Sequence, residues 1–122
     1  MLVVFKVRLK MFDGLWTIEF ISVTNLYGAG VLVLKDGRLL GGDAGYYYSG
    51  EYKEDGDEIK GVATITRFEP NSISVFGNYS QLPLRFRGKL EQNYFHGEAW
   101  LRDDRSKSIR IKCTKKEDFE RE

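Results

Sequence analysis

The chain has 122 residues, 42% hydrophobic, 14% aromatic and 30% charged. That makes it one domain able to bury its own core, and excludes both a disordered chain and a helix crossing a membrane. Nineteen basic residues stand against eighteen acidic ones, so no strong overall field draws it to nucleic acid or to anionic lipid.

The charge is uneven. Residues 11–80 hold most of the acids and 81–122 most of the bases. The one cysteine, Cys113, cannot form an internal disulfide, and the short apolar run at residues 2–5, followed by Lys6, Arg8 and Lys10, has the wrong length and order for a signal peptide. A cytoplasmic protein is expected.

Residues 1–10 are read as an N-terminal extension, because Met11 offers a second start just before Asp13-Gly14 and the strongest strand signal. In residues 15–23, Trp16, Ile18 and Phe20 share one face while Thr17 and Glu19 share the other, as a half-buried strand requires. Residues 29–34 and 38–42 flank Asp36-Gly37, the dipeptide of a primed hairpin turn. Strands follow at 46–52, with Tyr46, Tyr48, Gly50 and Tyr52 in phase, and at 58–68, with Ile59, Gly61, Ala63 and Ile65 in phase.

Residues 69–81 are the one long connection, rich in turn formers, whose Ile73, Val75 and Phe76 are placed to plug one end of the core. Strands at 82–90, 94–102 and 106–114 bring the count to eight. Residues 116–122 read as a charged tail leaving a single barrel domain at 11–115.

Eight short strands joined mainly by short turns form an antiparallel up-and-down meander, and closing it removes the edges, so the fold expected is all-β, a small eight-stranded barrel. Gly50, Gly61, Gly88 and Gly97 fall in mid-strand on the apolar phase, where a sheet can coil sharply. Those glycines are also expected to leave interior room for one apolar ligand, with Trp16, Phe20 and Phe86 lining it, although no converging polar groups are visible on the inward phase.

Few residues could carry catalysis. His96 falls on an outward phase, and Cys113 falls in phase with Ile109 and Ile111 as a small core residue. The two make no metal site, and no phosphate-binding loop is present, so neither enzyme activity nor a metal or cofactor is expected. Two surface features remain. Glu51, Glu54, Asp55, Asp57 and Glu58 form an acidic turn, expected to face water and suited to a basic partner. The run Tyr46, Tyr47 and Tyr48 must expose at least one ring, which suits a self-association interface.

The run from Asp13 to Phe20, the pair of strands ending Gly41-Gly42-Asp43, the run Tyr46-Tyr47-Tyr48-Ser49-Gly50 and the acidic turn together resemble the GrlR family, negative regulators of type III secretion, over about residues 11–115. The resemblance implies a lipocalin-like barrel, a bacterial cytoplasmic homodimer without catalysis, and capture of a transcriptional activator by an acidic surface motif; direct nucleic-acid contact is not expected, because the chain has neither a basic excess nor strand-helix alternation. The matching positions are Glu54, Asp55, Gly56 and Asp57, followed by Glu58; Gly56 stands where the motif has its second glutamate.

Overall fold

Apolar side chains recurring at every second position give eight strands: β1 (Gly14–Ser22), β2 (Tyr27–Lys35), β3 (Arg38–Gly42), β4 (Tyr46–Asp55), β5 (Glu58–Arg67), β6 (Gln81–Leu90), β7 (Tyr94–Leu101) and β8 (Asp104–Glu117). A computed structural model describes residues 10–119 of the chain. Each strand pairs with its neighbour in sequence, and β1 also pairs antiparallel with β8, so the sheet closes into the eight-stranded up-and-down barrel expected. No helix among the described residues is long and apolar enough to cross a membrane.

The turns behave as their residues dictate. Asp36 and Gly37 both take positive φ (50° and 83°), the conformation of a primed turn whose twist matches the flanking strands. Two strands run further than their periodicity suggests. β4 continues to Asp55, which leaves only Gly56 and Asp57 as the β4–β5 turn and makes Glu54 a strand residue on the inward phase. β8 continues to Glu117, past the boundary expected at residue 115, because β1 uses it as a partner down to the pairs Trp16↔Lys115 and Leu15↔Glu117. The tail expected at 116–122 therefore starts later.

The glycines let the wall coil. A Cβ on Gly97 would lie 1.8 Å from the Arg87 carbonyl oxygen, so only a bare backbone passes there. At Gly61 the space is already taken: the Phe86 ring lies where a side chain would begin, 2.8 Å from a Cβ at that position. Gly61 and Gly88 thus seat the Phe86 and Phe95 rings, Gly50 and Gly97 meet the backbone of the neighbouring strand, and none of the four lines the barrel's cavity, which corrects the expectation that they leave interior room.

One end of the barrel is shut by the segment before β1. Phe12 and Trp16 are fully buried, the Trp16 and Phe95 rings meet edge to face at 4.9 Å, and the Trp16 Nε1–H donates to the Phe12 carbonyl at 2.9 Å. The Lys115 ammonium lies over the Trp16 ring at 5.4 Å and donates to the Met11 carbonyl. Tyr52 donates to Asp13, and Glu54 accepts the Met11 amide at 3.1 Å. Burial pushes the Tyr52 hydroxyl up and raises the Glu54 carboxyl above its usual range. Lys10 forms an ion pair with Asp36. The rest of the extension read at residues 1–10 lies outside the described residues.

Candidate functional site

The other end holds a cavity of about 330 Å³. Its walls are the inward residues of the barrel, among them Ile18, Phe20, Leu32, Leu84, Phe86 and Ile111. Its mouth lies between Tyr27 and Gly28 of β2, the β3–β4 turn at Asp43, Ala44 and Gly45, and residues 72–76 of the β5–β6 connection. Of the aromatic residues expected to line an interior space, Phe20 and Phe86 do so. Trp16 does not: it belongs to the closed end, where Phe12 and Phe95 surround it.

The β5–β6 connection is a strap tied across this end. It carries no helical turn; Ser74 and Gly77 form an isolated bridge instead. Its amides at Phe68 and Glu69 donate to the Gly45 carbonyl, and the Tyr46 hydroxyl donates to the Tyr79 carbonyl at 2.8 Å. Arg67 reaches the Ser72 carbonyl and the Asn78 side chain. Val75 and Phe76 pack against the core as a plug would, whereas Ile73, 70% exposed, borders the cavity without packing into the core. With Val23, Leu26, Tyr27 and Phe68, Ile73 gives the mouth an exposed apolar rim.

Converging polar groups that the sequence did not reveal sit in the inward phase of this end. Asp43 Oδ1 accepts the Gly45 and Tyr46 amides at 2.9 Å each, an Asx turn that shapes the β3–β4 connection, and Oδ2 accepts the Tyr48 hydroxyl. Burial, then that hydrogen bond, pushes the Tyr48 phenol far above its ordinary value, so it stays a neutral donor. Tyr46 and Tyr48 are therefore interior residues at 4% and 6% exposure, and cannot serve the dimer interface proposed for the tyrosine run. Alternation leaves only Tyr47 outside, half exposed, near Val31 and Leu40 on the outer face of β2 and β3.

The acidic turn lies at the closed end, opposite the mouth. Asp55, Asp57 and Glu58 face water and make no side-chain hydrogen bond or ion pair among the described residues. Glu54 departs from the expectation that all five carboxylates face water: it is half-buried under Met11 and Phe12, its carboxyl turned to their amides. The basic residues of the last third gather elsewhere, on the outer face of β6 to β8, where Arg87, Glu98 and Arg110 align across the strands and Arg105 lies 3.8 Å over Trp100. Their alternation with Leu84, Phe86 and Leu90 carried that signal.

His96 is exposed on β7 beside Glu91, at 3.3 Å, while Cys113 is fully buried on β8, where burial pushes its thiol up. They occupy opposite faces of the wall and share no site. Among the described residues no three His, Cys, Asp or Glu side chains are placed to hold a metal ion. No family model matches the chain, and no curated protein is similar enough to count as a relative.

Proposed function

We propose that the protein acts by binding and not by catalysis, and that its barrel takes up one apolar small molecule. The cavity carries this reading: it is walled by aliphatic and aromatic side chains, open at one end behind a tied strap, and shut at the other. Such a pocket offers an apolar guest burial on nearly all sides, at roughly 25 cal/mol per Å² removed from water. The test combines two measurements. Native mass spectrometry of protein purified from its own host should show a retained small molecule. In solution a neutral dye, N-phenyl-1-naphthylamine, should brighten on uptake, and Ile65→Trp, which fills the cavity from β5, should weaken that uptake by at least about tenfold. Uptake unchanged in this variant would overturn the reading.

A second reading is favoured by the unpaired carboxylates Asp55, Asp57 and Glu58: capture of a basic protein partner, as the resemblance to the GrlR regulators implies. The partner would be a transcriptional activator whose DNA-contacting bases pair with the acidic tip, so that DNA is excluded. Because tip and mouth lie at opposite ends, the two readings separate experimentally. The triple change Asp55→Lys, Asp57→Lys and Glu58→Lys should abolish capture of host partners and leave dye uptake and melting temperature nearly unchanged. Identical partners captured by both proteins would eliminate it. The same resemblance implies a cytoplasmic homodimer, for which Tyr47 is the tyrosine placed to contribute; a dimer mass in the native spectra is the expected result.

A further inference from the structure

We infer that the cavity selects a molecule with a hydrogen-bond-donating, and best a cationic, head on an apolar body: an amine in preference to an alcohol, and an alcohol in preference to a carboxylic acid. The inference rests on the ligand-binding reading above and adds the chemistry of the guest's polar end. It follows from counting donors and acceptors at the mouth.

Every side-chain hydroxyl lining the cavity spends its proton on the protein. Tyr27 donates to Glu19, Tyr46 to the Tyr79 carbonyl, Tyr48 to Asp43, Ser72 to Glu69 and Ser74 to the Gly77 carbonyl. What these hydroxyls leave for a guest are lone pairs. Asp43 adds more: its two oxygens offer about four acceptor positions, three of which are taken by two amides and the Tyr48 hydroxyl. Among the described residues lining the cavity Asp43 is the one charged side chain, and none is lysine, arginine or histidine.

A carboxylate guest would thus bring a second anion beside Asp43 into an apolar enclosure, with no cationic side chain and no side-chain hydroxyl proton to replace the hydration it loses. An ammonium group at the same place would donate to Asp43 and to the tyrosine oxygens through charge-assisted hydrogen bonds. A hydroxyl head could donate one ordinary hydrogen bond.

The experiment uses the full chain, with N-phenyl-1-naphthylamine displaced by octylamine, 1-octanol or octanoate at neutral pH. Octylamine should bind at least about tenfold more tightly than octanoate, with 1-octanol between them. Asp43→Asn keeps an oxygen for the turn amides and should erase the amine's advantage over the alcohol. Should that variant fail to fold, salt serves instead: octylamine affinity of the unaltered protein should fall as ionic strength rises while that of 1-octanol holds. Octanoate binding as tightly as octylamine, or an amine preference that survives both Asp43→Asn and high salt, would overturn the inference. Absence of any dye uptake would instead remove the ligand-binding reading itself.

Discussion

Trp16→Ala should cost the protein about 3–5 kcal/mol of folding stability, read as a lower urea midpoint. Against a total of about 5–15 kcal/mol for a domain of this kind, that is enough to leave much of the population unfolded on mild warming. The size follows from what the ring does. It is fully buried, stacks against Phe12 and meets Phe95 edge to face, so its removal opens a void that strand backbones cannot collapse into. It also orphans the Phe12 carbonyl and strips the Lys115 ammonium of the ring it covers. Trp16→Phe keeps an aromatic ring and loses the N–H, so it should recover much of the loss but not the roughly 1–3 kcal/mol of an unsatisfied buried acceptor. If Trp16→Ala lowered stability by less than about 1 kcal/mol, the closed end would not be the keystone of the core.

Gly97→Ala should also destabilise the protein, although it adds one methyl group. The Cβ would sit 1.8 Å from the Arg87 carbonyl oxygen and 2.6 Å from the Gly88 Cα, both backbone atoms of the neighbouring strand. Neither can rotate away, so β6 and β7 must separate where they cross at Gly88↔Gly97, and the cost should reach or exceed the ~1–3 kcal/mol typical of overpacking. Gly56→Ala is the matched control. An added Cβ there meets nothing within 4 Å, and only its φ of +63° resists, at about 1–2 kcal/mol. Equal losses at the two positions in thermal unfolding would show that backbone conformation, and not close approach, governs the mid-strand glycines.

Much of this was legible in the sequence, and the reasons are local. The alternation of Trp16, Ile18 and Phe20 could fit only a strand with one wet face, and the Asp36-Gly37 turn set the β2–β3 register directly. The mid-strand glycines pointed to closure, but whether they left space or received a ring depended on contacts between neighbouring strands, such as Phe86 over Gly61. Phe12 gave no signal because a single aromatic residue ahead of a strand has no period to read.

The polar end of the cavity was hidden for a similar reason. Tyr48 shares the phase of Gly50 and Tyr52, which places it inside, yet three successive tyrosines draw the eye to the surface. The bond from Tyr48 to Asp43 exists only because the Asx turn folds the carboxylate back over the strand. By sequence Glu54 reads as a turn residue, but the turn is two residues long. Extending β4 to Asp55 put it on the inward phase, beneath an N-terminal segment whose path no periodicity describes.

With Phe12 and Trp16 sealing one end, whatever enters the barrel must depart by the same door. Its dwell time would then be set by how often residues 68–80 let go of Gly45 and Tyr46, a rate the greasy walls scarcely influence. Grip and escape are thereby assigned to separate stretches of the chain, so that loosening the latch could shorten occupancy at an unaltered equilibrium constant.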